Sequence, residues 1–207
     1  MTLAKRHRNK RRHQLPKLLV ALICLLGLGV IVVACQSLQG PTSQQAASSS
    51  DDTAQKRAFI KQLAPYAQTL HRQYGVLASI TLAQAILESD WGQSTLATDY
   101  NNYFGIKSAD PARSQELTTQ EYVNGKWVTI KARFAVYPNV NASLKAHALL
   151  FVNGTSYNPD QYKDVLAAKD YVAASVALRT DGYATDPDYP AKLQRLIKQW
   201  DLAQYDQ

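Results

Sequence analysis

One carboxylate in this chain is set apart by its surroundings. Glu88 lies in the run Ser79-Ile80-Thr81-Leu82-Ala83-Gln84-Ala85-Ile86-Leu87-Glu88-Ser89-Asp90-Trp91-Gly92. Ile80, Ala83, Ile86 and Leu87 recur at helical spacing, with Leu82 beside them, so the stretch reads as a buried helix. Ser79 is placed to cap its start and Gly92 to end it. Thr81, Gln84 and Glu88 form a narrow polar line on the other side. Glu88 therefore emerges from an apolar helix near its carboxyl end. The partial negative charge of that helix end disfavours a carboxylate, and apolar neighbours such as Leu87 and Trp91 disfavour it further. Both effects favour the protonated form, which is what a general acid needs to protonate a leaving oxygen. A surface Glu at a helix end is the commoner fate of such a residue, and spacing alone leaves that reading open.

A second carboxylate is placed by a hairpin pattern. Residues 116–123 and 126–134 read as strands, and Asn124-Gly125 between them is the strongest short hairpin signal. A two-residue turn sets Val123 opposite Lys126 and Glu121 opposite Val128. Leu117, Thr119, Glu121 and Val123 then share a face with Val128, Ile130 and Ala132. The other face carries Glu116 against Arg133, Thr118 against Lys131 and Tyr122 against Trp127. Glu121 thus stands on the more apolar face with no base directly opposite. It either lines a cleft or is an edge-strand charge that keeps the hairpin soluble.

Further motifs accompany these two. Asn101, Asn102, Tyr103 and Phe104 group amides and aromatic faces, which suit sugars; ordinary loop chemistry with a buried Phe104 reads equally well from the residues alone. Glu88-Ser89-Asp90-Trp91-Gly92, followed by Asn102-Tyr103-Phe104-Gly105-Ile106-Lys107, resembles glycoside hydrolase family seventy-three, the bacterial endo-β-N-acetylglucosaminidases of the flagellar-muramidase and autolysin type. Gly182-Tyr183-Ala184-Thr185-Asp186-Pro187-Asp188-Tyr189 resembles the same family, and the likeness covers about the last three-quarters of the chain.

The resemblance implies a lysozyme-like fold whose helical lobe holds Glu88 as general acid and whose β-lobe holds the second carboxylate. The family carries that group in a Thr-x-Glu-Tyr setting, which Thr119-Gln120-Glu121-Tyr122 matches; Asp99, Asp110 and Glu116 are weaker substitutes. Tyr183 is implied to hold the sugar or stabilise developing charge. Asn102, Tyr103, Phe104, Trp91, Tyr122 and Tyr189 are the residues implied to bind substrate. The reaction implied is hydrolysis of the β-1,4 bond after N-acetylglucosamine in peptidoglycan. Glu121 would activate a water with inversion, or the sugar's own acetamide would attack with retention. No metal or organic cofactor is expected. A muramidase, a lytic transglycosylase or a wall-binding module that no longer cuts are the alternatives.

Composition locates the rest. The chain has 207 residues and a net charge of +7, yet Lys5, Arg6, Arg8, Lys10, Arg11, Arg12 and Lys17 account for that excess. No Asp or Glu precedes Asp51, and the remaining charges balance. A neutral body gives no support to nucleic-acid binding. Residues 18–34 carry no charge and sit at the short end for a membrane-spanning helix, which needs about 20 residues. The basic tail (1–17) predicts a cytoplasmic amino terminus. A cleaved secretion signal is a rival, and Val32-Val33-Ala34-Cys35 resembles a lipoprotein box; the long tail favours an uncleaved anchor at 18–35. The domain would then stand outside, tethered to the membrane, facing the wall. Cys24 and Cys35 are the only cysteines, so the body has no disulfide framework and no cysteine metal site.

The elements that must position the candidates follow. Residues 36–54 read as a flexible spacer. Residues 55–74 read as a helix with Phe59, Ile60, Leu63, Ala67 and Leu70 on one side, kinked or split at Pro65. Residues 92–107 read as a connection. A helix over 139–153, capped by Asn139 or Asn141, turns Leu144, His147, Ala148 and Phe151 inward. His147 reads as a packed helix residue rather than a base. Short helices over 160–168 and 170–180 follow, the latter with Val172, Ala173 and Val176 inward. A final helix over 190–201 buries Leu193, Leu196, Ile197 and Trp200. One hairpin with five to seven helices makes an α+β class, and 55–207 is read as one catalytic domain acting as a monomer.

Overall fold

The computed structural model describes residues 43–123 and 126–207, with side chains described outside 43–50 and 120–127. The elements run α1 (Ser43–Tyr74), α2 (Ala78–Ser89), α3 (Thr95–Tyr100), β1 (Ser114–Val123), β2 (Lys126–Ala135), α4 (Val140–Asn153), α5 (Lys163–Ala167), α6 (Tyr171–Thr180) and α7 (Tyr189–Gln199). Short 3-10 turns at Pro111–Arg113 and Leu202–Asp206 complete them. The molecule is mostly helical, with one two-stranded antiparallel sheet among the described residues.

Helix α2 is the centre of the core. Every residue from Ala78 to Ile86 is buried, and α1, α6, α7 and the 3-10 turn Leu202–Asp206 pack around it. Thr81 and Gln84, expected on a polar side, are fully buried with the rest. Gln84 finds partners inside, at Tyr189 and His147, whereas the Thr81 hydroxyl is buried with no hydrogen-bond partner among the described residues. Leu77, not Ser79, is the amino-terminal cap residue, and it makes no side-chain cap bond. Ser79 lies inside the first turn, where its N–H and its hydroxyl both donate to the Asp206 carboxylate, at 2.8 and 2.6 Å. A carboxylate from the far end of the chain thus satisfies the helix start and complements its dipole.

Helix α1 differs from expectation at its beginning. Residues 43–54, read as spacer, already belong to it. Lys56 bridges back to Asp52 at 2.7 Å, the i,i+4 pairing that supports an exposed turn. Pro65 sits within the helix without splitting it. The inward line Ile60, Leu63, Ala67 and Leu70 is buried as the periodicity predicts.

The hairpin register is the one read from the turn, with Glu121 opposite Val128, Tyr122 opposite Trp127 and Glu116 opposite Arg133. Asn124 and Gly125 themselves lie outside the described residues. The hairpin is rooted by Phe134 and Ala135, both buried, and by Ala135 N donating to the Ile106 carbonyl at 2.8 Å. Beyond that root its apolar face is open, with Val128 and Ile130 exposed.

Helix α4 buries the predicted face, Leu144, His147, Ala148 and Phe151; α7 buries Leu193 and Ile197, while Leu196 and the cap residue Trp200, also expected inside, are only partly buried. Asn139 caps α4 by accepting from Ala142 N at 3.0 Å, and Asp170 caps α6 by accepting from Val172 N and Ala173 N. The inward face of α6 is Ala174, Ser175, Ala177 and Leu178. Val172 and Val176, expected inward, are about half exposed, and Ala173, expected with them, is exposed too, because the small residues let α6 approach its neighbours closely. Helix α3 was not legible; Ser94 caps it by accepting from Ala97 N.

The segment 18–34 and both cysteines lie outside the described residues. Among the described residues no helix is long and apolar enough to cross a membrane.

Candidate active site

Glu88 is the penultimate residue of α2 and is half-buried. The chain then reverses sharply: Asp90, Trp91 and Gly92 adopt φ of 49°, 59° and 80° in succession. Only glycine takes such angles without strain. Left-handed Asp90 and Trp91 store about 1–2 kcal/mol each, the kind of strain that clusters at functional sites. The bend is held by Ser89, whose buried hydroxyl donates to the Ala85 carbonyl at 2.6 Å and accepts from Gly92 N at 2.7 Å.

A tyrosine far along the chain holds the acid. The hydroxyl of Tyr189 donates to Glu88 Oε1 at 2.7 Å. Gln84 Nε2 donates to that same hydroxyl at 2.9 Å. Gln84 Oε1 in turn faces His147 Nε2 at 3.1 Å. Tyr189 is the first residue of α7, and the loop before it is fixed by Asp186, which accepts from Asp188 N at 2.8 Å and from Lys192 Nζ at 2.6 Å. Burial disfavours the Asp186 anion, but Lys192 and the Asp188 N–H outweigh it and hold its pKa below the usual carboxylate range.

His147 is fully enclosed. Its ring stacks on Phe104 at 3.8 Å between centroids and meets Phe151 edge-on at 4.8 Å. Desolvation pushes its pKa down to about 3, so it is neutral at physiological pH.

The remaining expected site residues divide into two groups. Tyr183, Asn102 and Phe104 are interior, each no more than 1% exposed. Tyr183 is enclosed by His147, Phe151, Tyr162 and Tyr189, so it does not meet a sugar directly in this conformation. Asn102 is a loop tie: its amide donates to the carbonyls of Ile106 and Ala135, and its oxygen accepts from Ile106 N. Phe104 is the floor on which His147 rests. These residues shape the site from beneath, because their side chains are consumed by packing and backbone contacts.

Trp91 and Tyr103 are half-buried. Trp91 packs edge-on against Trp200 at 4.9 Å and Phe59 at 5.9 Å, and Lys56 Nζ lies 5.5 Å from its ring centre. Tyr103 lies 6.1 Å from Phe59, and burial raises its pKa. The side chains of Glu121 and Tyr122 lie outside the described residues; their backbones occupy the distal half of β1. Among the described residues no group of three or more His, Cys, Asp or Glu is arranged to hold a metal ion.

A mostly helical body with one small two-stranded hairpin, and a helix end whose carboxyl is gripped by a buried tyrosine, is a lysozyme-like glycoside hydrolase fold. The chain belongs to the glucosaminidase family, described as mannosyl-glycoprotein endo-beta-N-acetylglucosaminidase, whose model matches residues 64–202. It is similar to the exo-glucosaminidase LytG of Bacillus subtilis, 42% identical over 92% of this chain and 67% of that protein. It is also similar to an autolysin of Enterococcus faecalis, 38% identical over 79% of this chain and 23% of that one. The fold matches the crystal structure of the catalytic domain of the autolysin Auto from Listeria monocytogenes, with a TM-score of 0.68, 35% identity and coverage of 80% of this chain and 99% of that domain. The chain thus spans two thirds of the first relative and less than a quarter of the second.

Gln84 and His147 are the site residues that sequence reading did not link to Glu88. Each carried a signal, Gln84 on the polar line that ends at Glu88 and His147 on the inward face of its helix. What joins them is spatial.

Proposed function

We propose that this protein hydrolyses the β-1,4 bond on the reducing side of N-acetylglucosamine in peptidoglycan, with Glu88 as the general acid. The observation that carries this is the setting of Glu88: half-buried at the end of the core helix, with Oε1 held at 2.7 Å by Tyr189. An acid so fixed can meet a glycosidic oxygen without first losing its own freedom. The names of the Bacillus glucosaminidase and the Enterococcus autolysin support the bond and the wall as its location.

The second carboxylate of the proposal is Glu121. Its backbone lies opposite Val128, and Val128 and Ile130 of the partner strand are exposed. An open apolar hairpin face suits the C–H faces of a glycan. Glu121 would deprotonate a water attacking the anomeric carbon, giving inversion. In the other course the substrate's acetamide attacks, configuration is retained, and Glu121 orients that group.

The uncharged segment 18–34 behind a basic tail supports an anchored protein with this domain outside the membrane. A monomer suffices for the chemistry, since both carboxylates come from one chain.

Digestion of purified cell wall tests the reading. The protein should release muropeptides with reducing N-acetylglucosamine ends, and Glu88→Gln should lose at least 100-fold in rate while staying folded. Anhydro-muropeptides would make it a transglycosylase, and equal clearing by both proteins would remove Glu88 from the mechanism. Product lengths separate internal from terminal cleavage. Full activity in Glu121→Gln would end the role of the second carboxylate and leave the first intact.

A further inference from the structure

The four side chains His147, Gln84, Tyr189 and Glu88 form one continuous hydrogen-bonded file, at 3.1, 2.9 and 2.7 Å. Gln84 and His147 are fully buried and Tyr189 nearly so. Such a file has a direction. His147 Nε2 faces an amide oxygen, which only accepts, so Nε2 carries the imidazole proton. The Gln84 amide then donates to the phenol oxygen, and the phenol's single proton goes to Glu88 Oε1.

The reverse direction is chemically complete but worse. Glu88 would donate to Tyr189, Tyr189 to the Gln84 oxygen, and the Gln84 amide to His147 Nε2. The imidazole proton would move to Nδ1. That atom is buried and has no hydrogen-bond partner among the described residues. In the observed direction it holds an orphaned lone pair; in the reverse it would be an orphaned N–H, the rarer and costlier state in protein interiors. His147 stays neutral in either case, because the packed rings of Phe104 and Phe151 around it exclude water.

We infer that Gln84 and His147 are positioning residues for the acid step: they set the direction of the Tyr189 hydroxyl, which keeps Glu88 Oε1 an acceptor and puts the acid's proton on Oε2. This rests on the proposed role of Glu88 as general acid. In that step the O–H bond at Oε2 breaks as the proton passes to the glycosidic oxygen. The electron pair stays on the carboxylate, and the C–O bond to the leaving sugar breaks in turn. The new anion is met at once by the hydrogen bond already pointed at Oε1, so the file needs no rearrangement during the reaction. Gln84 and His147 act on the acid through Tyr189.

Two measurements on the full chain test this. The first is the His147 tautomer, read from the ¹⁵N shifts of its ring in the unmodified protein. It is expected to be Nε2–H with an unprotonated Nδ1; an Nδ1–H tautomer would overturn the inference, whatever the activity. The second is kinetics per folded molecule on soluble glycan fragments. Gln84→Met and His147→Leu should each lower kcat about tenfold or more with KM within twofold, and combining them should cost little beyond either alone. His147→Gln, which can return an N–H to the Gln84 oxygen, should recover to within about threefold of the parent. A kcat that follows only the folded fraction, or His147→Gln as impaired as His147→Leu, would reduce both residues to packing. A parent protein that cuts no glycan would refute the function proposed above, while the tautomer still decides the direction of the file.

Discussion

The hydroxyl of Tyr189 lies 2.7 Å from Glu88 Oε1, joining the first residue of α7 to the end of α2 across 101 positions of sequence. Glu88 is therefore held by a helix other than its own, and the rigidity of the site depends on how α7 is anchored. Tyr189→Phe removes the bond and keeps the ring. It is expected to lower kcat by about 10–100-fold, with KM nearly unchanged, since a group that orients an acid contributes mainly in the transition state. Circular dichroism should be that of the parent. A rise in KM alone, with kcat unchanged, would mean that Tyr189 serves binding.

The start of the same helix depends on the chain's other extremity. The Asp206 carboxylate accepts from both the N–H and the hydroxyl of Ser79. Asp206→Ala should destabilise the fold by about 1–2 kcal/mol, the range for loss of an N-terminal cap. Ser79→Ala should cost less, because the backbone bond remains. The denaturant midpoint reads both, and specific activity of the folded fraction should hold. The Ser79→Ala and Asp206→Ala effects should be less than additive, being one interaction.

Stability should fall in mild acid because of His147. Its folded pKa of about 3 lies below the ordinary value of 6.5. In the unfolded chain the ring binds a proton below pH 6.5, and in the folded protein it does not. The folded state therefore has this contribution in full above pH 6.5 and loses it progressively as pH falls toward 3. The loss between pH 8 and pH 5 is on the order of 2 kcal/mol. His147→Gln should flatten that part of the urea-midpoint profile; an unchanged slope would assign it to other groups.

Gly92 closes the turn after Glu88 with φ of +80°. A Cβ there would stand 2.9 Å from Phe59 Cε2 and 3.3 Å from Tyr103 Cε1. Gly92→Ala is thus opposed both by its backbone angle and by two rings. It should cost about 1–3 kcal/mol and lower kcat, because the bend that ends α2 sets the pose of Glu88. Parental stability in this variant would show that neither the backbone angle nor the two rings oppose a side chain there.

What could be read from the sequence was local. Helical spacing marked the core of α2 and the isolation of Glu88, because side chains three and four apart share a face whatever lies beyond. Asn124-Gly125 predicted the hairpin register, because a two-residue turn fixes which residues pair. The caps Asn139 and Asp170 were legible for the same reason. Each is decided within a few residues.

Other features needed partners distant in sequence. Ser79 read as a cap by type, yet Asp206, 127 positions away, performs the capping. Val172 and Val176 read as inward by hydropathy, but neighbouring helices chose the small face of α6 instead. Tyr183 read as a cleft residue, and the rings around it closed it into the interior. Gln84 and His147, 63 positions apart, and Gln84 and Tyr189, 105 apart, meet only because α2, α4 and α7 pack together. The sequence by itself determined that an acid would end a buried helix. Only tertiary packing decided which groups hold that acid and from which side, because a hydrogen bond between helices has no spacing rule along the chain.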